Sequence, residues 1–492
     1  MSVRRGTQGR EHAGRRTPRR AAPAASRDFD QMYPMFAALR ASRPRHIDVL
    51  ERAFDHAREF RARVVEPNAL ELERRMMENP RYVAEDILAE AARRRLFTSL
   101  VPKAFGGLGL PFGAVMLTLE EISAGCVGIA NLLAVHGLAI TSVAATGDLA
   151  GLERVSRALV ESERAGRPKL LSTGITEPGA GTDTEDADFL ATARITCEAT
   201  PVAGGYRLNG RKIFISNGSI AATHVVYMPT DRRAPVETTF AFLVEAGTPG
   251  FSLGRVERKM GQKACPAAEL VFEDCFVAER QRLGKEALPG RRIDLIFGAT
   301  RGGVGAFAAG VARGALERAR AFADTHRLGA RPLIGEQWVQ MRLAQMHMNT
   351  ELARMAYVSA MLQNELFGLL SLMQAGALLE RLPARLLASA PVKRALRSRI
   401  ARERVEGGVA GLHDWQVAAT SASGAVAKAA ASDLAVENCG LALDILGASG
   451  LRHDAGVEKL FRDAKLLQIY EGTNQLNRIE IFKKALGGAH RR

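Results

Sequence analysis

The most informative motif of the chain spans residues 461–475, which read FRDAKLLQIYEGTNQ. Apolar side chains lead up to Glu471, and Gly472 with Thr473 then breaks the helical pattern. The carboxylate of Glu471 therefore stands next to an apolar run at a helix end. A carboxylate withdrawn from water has a raised pKa and can act as a base. For this motif alone, a solvated glutamate at a helix terminus is the simpler interpretation.

Two further motifs lie upstream. Residues 176–183 read TEPGAGTD, and the two glycines let backbone amides approach a polar ligand closely. Residues 209–218 read NGRKIFISNG, where strand alternation puts Phe214 and Ser216 on one face. A ring and a hydroxyl on one face suit a flat, polar-edged ring system. Taken singly, an ordinary Gly-Pro turn explains the first motif equally well, and a half-buried hairpin is the commoner interpretation of the second.

The sequence pattern changes twice along the chain. From about 46 to 165, apolar residues recur at helical spacing, and Ala130 to Ala145 predicts a buried helix. From about 168 to 280, short β-rich runs predict an antiparallel barrel or sandwich, with a hairpin turn at Asn209-Gly210. Helices then return, and one stripe is predicted to be bundle core: Trp338, Met341, Met348, Leu352, Met355 and Leu362.

The predicted fold class is therefore α+β with several domains. The boundaries expected from the pattern are a basic, disordered tail over 1–45, an N-terminal helical domain over 46–165, a middle β domain over 166–284, and a C-terminal helical bundle over 285–492 with an insertion at about 363–415.

The three motifs, in this order and on this helix–strand–helix layout, resemble the acyl-CoA dehydrogenase family over roughly residues 46–362 and 420–485. The resemblance implies FAD, a C-terminal four-helix domain, and a homotetramer or homodimer in which a neighbouring subunit completes the flavin pocket. It also implies oxidation of an acyl-CoA thioester between its α and β carbons. Glu471 is then the base for the α-proton, and the flavin accepts the β-hydride. The Glu471 backbone amide and a flavin hydroxyl are expected to polarise the thioester carbonyl.

The resemblance assigns further residues to the cofactor and the substrate. The residues expected at FAD are Thr173, Gly174, Ile175, Thr176, Gly181, Thr182, Phe214, Ile215, Ser216, Arg327, Gln337, Gly447, Thr473, Asn474 and Gln475. Those expected at the acyl-CoA are Thr182, Thr300, Arg301 and Gly472. No metal site is expected.

Some positions depart from the family pattern. Phe214 and Ser216 stand where the family usually has Trp and Thr, and they keep a ring and a hydroxyl. His326 replaces an arginine that contacts FAD from the neighbouring subunit, and Arg327 is the expected substitute. Asp444 falls in a stretch that the family places near the pyrophosphate, so we expect its carboxylate to point elsewhere.

Composition excludes several classes of protein. The chain has 492 residues, 47% hydrophobic and 25% charged, which excludes wholesale disorder and fibrous repeats. Five scattered cysteines without a C-x-x-C pair argue against a disulfide framework or a zinc site and favour a reducing compartment. No apolar run reaches the ~20 residues of a membrane span, and no secretory signal is present. We expect a bacterial cytoplasmic protein, or a mitochondrial one if residues 1–27 form a transit peptide; a plain tail is favoured.

The net charge of +15 is concentrated in two segments. Residues 1–27 and residues 381–404 each hold eight basic residues and one acid. The rest of the chain is close to neutral, so we expect no nucleic-acid groove. Residues 381–404 also carry a narrow apolar stripe, which allows a peripheral contact with an anionic membrane. We favour a solvated helix over that contact, because Pro383 and Pro391 keep the segment short.

Three functional hypotheses remain at this stage. The leading one is a dehydrogenase that passes its electrons to an electron-transfer flavoprotein. An acyl-CoA oxidase would use the same base and flavin but reduce oxygen. A family member kept as a binding or assembly protein is the third, and retention of Glu471 and both flavin motifs weighs against it.

Overall fold

The computed structural model describes residues 27–284, 290–367 and 411–487, with a few isolated positions between these ranges. Contacts divide the chain into two units, Met1–Glu51 and Arg52–Arg492. The predicted insertion over 363–415 and its basic segment 381–404 fall largely outside the described residues, as do residues 1–26.

The first unit is helical from Arg27 onward, so the prediction of a disordered tail is wrong for residues 27–45. The side chains of Phe29, Tyr33 and Phe36 are buried, and the ring of Phe29 lies 5.3 Å from that of Tyr33. This aromatic cluster gives the two short helices an apolar surface to bury. The prediction failed because the many arginines of this segment mask its aromatic residues when composition is counted.

The helices follow the predicted order, with two short ones inside the β region. Their bounds are α1 Arg27–Met32, α2 Pro34–Leu39, α3 Pro44–Phe60, α4 Glu66–Glu78, α5 Glu85–Arg93, α6 Phe112–Ala145, α7 Leu149–Arg164, α8 Ala187–Leu190, α9 Pro235–Thr238, α10 Gly290–Thr325, α11 Gln337–Phe367, α12 Asp414–Leu446, α13 Val457–Leu467 and α14 Asn474–Ile481. The helix α10 packs against α6, α11 and α12, which joins the C-terminal bundle to the N-terminal helices.

The middle domain contains two four-stranded sheets. The strands are β1 Leu170–Gly174, β2 Glu198–Val202, β3 Gly205–Ser216, β4 Ala221–Pro229, β5 Thr239–Glu245, β6 Phe251–Val256, β7 Ala267–Ala278 and β8 Arg282–Leu283, and a separate two-stranded ribbon joins β9 Arg327–Leu328 to β10 Arg331–Pro332. One sheet has the order β1-β4-β5-β8 and the other β2-β3-β7-β6. The strand pairs are antiparallel, as the sequence predicts, except for β1 with β4, which is parallel.

Alternation along the strands builds two hydrophobic cores. In β4, Val225 faces α6 and α7, whereas Val226 faces the second sheet. The first sheet is therefore covered by helices on one face and by the other sheet on the opposite face, as period-2 side-chain alternation requires.

The predicted hairpin at Asn209-Gly210 is wrong. Both residues lie inside β3, and the chain reverses earlier, between β2 and β3. Gly210 has a φ of +122°, and the pairing of β3 with β7 shifts register there. A Cβ at Gly210 would lie 2.6 Å from the sulfur of Cys197. Gly210 therefore forms part of a β-bulge in which the backbone lies close to Cys197. An Asn-Gly dipeptide is compatible with such a bulge as well as with a hairpin turn.

The prediction for the methionine stripe is also wrong. Met341 is 69% exposed, Met348 55% and Met355 52%. The buried face of α11 is instead formed by a more varied set of side chains, which includes Val339, Met346, Ala353, Tyr357 and Met361. Helical periodicity identified an apolar stripe, but α11 carries apolar residues on two faces and periodicity cannot say which one packs.

Within the part of the chain that the structure describes, three helices are long and apolar enough to cross a membrane by length and composition, which differs from the expectation of no such stretch. They are Phe112–Ala145, Arg292–Thr325 and Asp414–Leu451. In the first two, 83% and 94% of the most apolar window is buried within the protein, so their apolar character belongs to the core. In the third, 39% of that window is buried.

Candidate active site

A cavity of about 210 Å³ opens beside β1, β3, α6 and α10. Most of its wall is apolar and comes from residues 96–141 and from α10. Of the residues predicted from the sequence, those that line it are Thr173, Ile175, Thr176, Phe214, Ile215, Ser216, Thr300 and Glu471. The structure therefore brings the predicted base, the first flavin motif and the β3 motif to one place.

Glu471 lies in the linker between α13 and α14. Its φ is +55°, a left-handed conformation that is uncommon for a residue with a side chain. The Oγ1 of Thr300 donates a hydrogen bond of 2.7 Å to Oε2 of Glu471. The Nε of Arg301 donates to the backbone oxygen of Glu471 at 3.3 Å. Two neighbouring residues of α10 thus hold the carboxylate and the backbone of the predicted base.

The loop after Glu471 is anchored from α12. The buried Nζ of Lys428 donates to the oxygen of Gly472 and to Oδ1 of Asn474, at 2.6 Å each. The Nδ2 of Asn477 donates to the same Gly472 oxygen at 2.9 Å. Thr473 caps α14 by accepting a hydrogen bond from the amide of the third residue after it. These bonds fix the geometry of a strained linker.

The surroundings of Glu471 act on its protonation in two directions. Burial raises the pKa of Glu471 above its ordinary value. The hydrogen bond from Thr300 and the positive charges of Arg301 and Lys428 offset part of that rise. The outcome is a carboxyl that is more basic than a solvated glutamate and is still stabilised as an anion, which suits a general base.

The residues at β1 and β3 fit a flat, polar-edged cofactor. Thr173 lines the cavity, and its buried Oγ1 has no hydrogen-bond partner in the part of the chain that the structure describes. Such a hydroxyl calls for a polar partner. Phe214 is 55% exposed and has a φ of +58° at a register shift in β3. This bulge interrupts the predicted alternation, yet Phe214 and Ser216 both reach the cavity wall.

Several predicted cofactor contacts lie elsewhere. Asn474 is buried, and its amide donates to Ser432 and Asp433 rather than into the cavity. Of the other predicted contacts, the following do not line the cavity: Gly174, Gly181, Thr182, Arg301, Arg327, Gln337, Gly447, Gly472, Thr473 and Gln475.

For some of these residues the reason is visible. Arg327, Gln337, Gly447 and Gln475 are exposed on the surface of the chain. Arg327 donates to the oxygen of Ala330 within its own ribbon. The role of these four residues toward a neighbouring subunit stays a prediction.

The two departures from the expected pattern have distinct outcomes. Asp444 pairs with Arg342 at 2.8 Å, which agrees with the expectation that its carboxylate is engaged elsewhere. The ring of His326 stacks on Phe322, with centroids 4.6 Å apart.

Sequence reasoning missed two charged residues of the site. Lys428 is the single lysine of an alanine-rich run, and its isolation among small apolar residues was an available signal for burial. Glu185 stands two residues beyond the first flavin motif and also lines the cavity. The position of this acidic residue, directly after a predicted ligand-binding motif, could have indicated that it lies in the site.

Comparison with known proteins supports one family. Residues 50–163 match the acyl-CoA dehydrogenase N-terminal domain, residues 172–275 the middle domain, and residues 291–367 and 375–486 the C-terminal domain. A relative named acyl-CoA dehydrogenase from Bacillus subtilis is 32% identical over 391 residues, which cover 79% of this chain and 86% of that protein.

Two solved structures show the same architecture. The structure of butyryl-CoA dehydrogenase from Megasphaera elsdenii has a TM-score of 0.69 at 26% identity, covering 89% of this chain and 97% of the other. A chain from the structure described as "Electron transferring flavoprotein of Acidaminococcus fermentans: Towards a mechanism of flavin-based electron bifurcation" has a TM-score of 0.71 at 28% identity, covering 89% and 98%. With all three domains matched in order, the chain belongs to the acyl-CoA dehydrogenase family.

Proposed function

We propose that the protein catalyses FAD-dependent α,β-dehydrogenation of an acyl-CoA thioester, with Glu471 as the base that removes the α-proton. The observation that carries this proposal is the carboxylate of Glu471, which lines a mainly apolar cavity and is held by the hydroxyl of Thr300 at 2.7 Å. An α-proton of a thioester is weakly acidic, so its removal requires a positioned base whose basicity is raised by its surroundings.

The chain's own residues divide the remaining tasks. Thr173, Phe214 and Ser216 would hold FAD, because they present an unpartnered hydroxyl, an exposed ring and a second hydroxyl at one wall. When bound, the flavin supplies the hydride acceptor that no side chain provides. The apolar wall excludes water from the acyl chain. Arg301 and Lys428 hold the backbone of the loop that bears Glu471.

For the electron acceptor we propose an electron-transfer flavoprotein. A structural relative at 28% identity comes from a study of such a protein, which supports this choice over oxygen. We also propose the bacterial cytoplasm as the location, because all five cysteines are free thiols.

We further propose that the protein is a homodimer or homotetramer. The exposed stripe of Trp338, Met341, Met348, Leu352 and Met355 runs along α11 for about five turns. Apolar surface of this length is unusual on a free monomer and is typical of an interface. A second copy would cover it. Analytical ultracentrifugation of the wild type and of a double variant, Met341→Lys with Met348→Lys, tests this assignment.

The central experiment is flavin bleaching by a panel of acyl-CoAs, with wild type compared with Glu471→Gln. The variant keeps shape and hydrogen bonding but loses basicity, so it should bind FAD and acyl-CoA while bleaching nearly stops. Bleaching at the wild-type rate would contradict the assignment. Rapid reoxidation of the bleached flavin by air would identify an oxidase, and failure of the purified protein to hold FAD would favour a binding role.

A further inference from the structure

The active-site cavity contains a second carboxyl group, that of Glu185. This residue ends the short 3₁₀ turn Thr182–Glu185 and lines the same cavity as Glu471. Its side chain is 13% exposed, and its Oε2 atom is buried without a hydrogen-bond partner among the residues that the structure describes. Buried carboxylate oxygens are normally hydrogen-bonded, so this one calls for an explanation.

Glu185 is linked to the base through one cation. Its Oε2 lies 3.7 Å from Nη2 of Arg301, and that nitrogen also has no hydrogen-bond partner within the described ranges. The same guanidinium donates through Nε to the backbone of Glu471. Oε2 of Glu185 also lies against Gly472, where an added Cβ would be 3.1 Å away. The carboxyl of Glu185 therefore abuts the loop that carries the base and shares its arginine.

The two carboxyls differ in what stabilises their anions. Glu471 accepts a 2.7 Å hydrogen bond from the hydroxyl of Thr300. The backbone of Gly472 also favours the anion of Glu185, but among the described residues Oε2 of Glu185 has no partner at ordinary hydrogen-bond geometry. Burial, followed by repulsion from Glu471, raises the pKa of Glu185 to about 8. When two interacting carboxyls have different surroundings, their protons leave in two steps, and the better-stabilised anion forms first.

The other charges around the pair come from three elements. Arg301 of α10 and Lys428 of α12 face both carboxyls. Asp433 acts on Lys428 from the same helix, and Glu480 of α14 interacts with Arg301. These two cations oppose the repulsion between Glu185 and Glu471, and the backbone of Gly472 and the hydroxyl of Thr300 further favour the respective anions.

We propose that Glu185 is a positioning residue that holds a proton at neutral pH and so leaves Glu471 as the ionised base of the pair. The inference rests on the proposed function of Glu471. Ionisation of Glu185 would put a second negative charge beside Gly472, next to the backbone amide of Glu471 that is expected to hold the thioester oxygen. Negative charge develops on that oxygen as the α-proton leaves, so flavin reduction should slow when Glu185 ionises.

The first test is the pH profile of flavin reduction by rapid mixing, using the FAD-loaded protein between pH 5 and 10. In wild type, the rate should rise as Glu471 ionises and then fall about tenfold or more on the alkaline side. In Glu185→Gln the acid limb should remain and the alkaline fall should disappear. A purely structural role would lower the rate at every pH and leave both limbs in place.

Two comparisons make this profile decisive. Asp188→Asn removes a carboxylate from the same segment, but Asp188 is an exposed partner of Lys483, so both limbs should persist. Lys428 is a rival source of the alkaline fall, because burial lowers its pKa to about 7. If Glu185→Gln retains the fall, the titrating group is not Glu185 and the proposal is overturned.

A second measurement needs no substrate. Infrared spectra of the protonated carboxyl band, followed through a pH titration, should show a band at pH 7 in wild type that is missing in Glu185→Gln. In Glu471→Gln this band should titrate at lower pH, because the like charge is gone. An identical band in wild type and Glu185→Gln would overturn the proposal. If no thioester bleaches the wild-type flavin, the proposed function fails and this titration alone decides the role of Glu185.

Discussion

Replacing Thr300 by valine should move the acid limb of the activity profile and leave the rates on its alkaline side close to those of wild type. The Thr300 hydroxyl donates 2.7 Å to Oε2 of Glu471, and this bond favours the ionised carboxylate. A hydrogen bond to a charged group contributes about 1.5–3 kcal/mol. Each 1.36 kcal/mol corresponds to one pKa unit, so the pKa of Glu471 should rise by about one to two. Valine keeps the volume of threonine, which limits the packing change.

The assay is the rate of flavin reduction against pH. Below both pKa values, Thr300→Val should be about 10- to 100-fold slower than wild type, because less of Glu471 is ionised. Well above them, the two rates should agree within about threefold, since the base is ionised in both. Thr325→Val on the same helix is the matched control, because the hydroxyl of Thr325 bonds only to backbone oxygens of α10. An unshifted acid limb, with a uniform loss of rate or of substrate affinity, would refute the reasoning and return Thr300 to the role of a plain substrate contact.

Three further predictions concern the flavin wall, the middle domain and the basic segment. Ser216→Ala should weaken flavin affinity or slow flavin reduction by about 1 kcal/mol, and an unchanged flavin spectrum and rate would place the hydroxyl away from the ring. Glu177→Ala should lower the free energy of unfolding by about 3–5 kcal/mol, because it leaves the buried Lys212, 2.8 Å away, without its partner. Burial raises the pKa of Glu177, but Lys212 outweighs this effect and holds the pKa below its ordinary value. The stability that the ion pair contributes is therefore present near pH 7 and is lost as the pH falls below about 4.5. Denaturant titrations should accordingly show a smaller difference in unfolding free energy between wild type and variant at pH 4 than at pH 7. Deleting residues 381–404 should abolish binding to anionic vesicles if that segment is a membrane helix, whereas binding that follows residues 1–27 alone, or no binding at low salt, supports the solvated helix.

Much of the site could be predicted from the sequence because its motifs are local. The helix break after Glu471, the glycines after Thr176, and the ring and hydroxyl of the β3 motif each lie within a few residues of one another. Spacing over so short a range follows from helix and strand geometry. The order of helical, β and helical regions was readable for the same reason, since each region has its own period.

Errors arose where one local pattern admits two outcomes. Asn209-Gly210 is compatible with a hairpin turn and with a bulge, and the neighbouring Cys197 and the partner strand β7 select the bulge. The apolar stripe of α11 is compatible with a core and with an interface, and packing against α10 and α12 buries the opposite face. No local propensity distinguishes these alternatives.

The sequence alone was enough to predict the three-part layout, the candidate base Glu471 and the residues of the cavity wall at β1 and β3. Only the tertiary structure decided what surrounds that base. Thr300 and Glu471 are 171 residues apart, and Lys428 reaches Gly472 across 44 residues. The shared arginine of Glu185 and Glu471 likewise joins a turn of the middle domain to a helix of the C-terminal bundle. Protonation in a buried site depends on through-space charges and desolvation, and these exist only once distant segments have packed together.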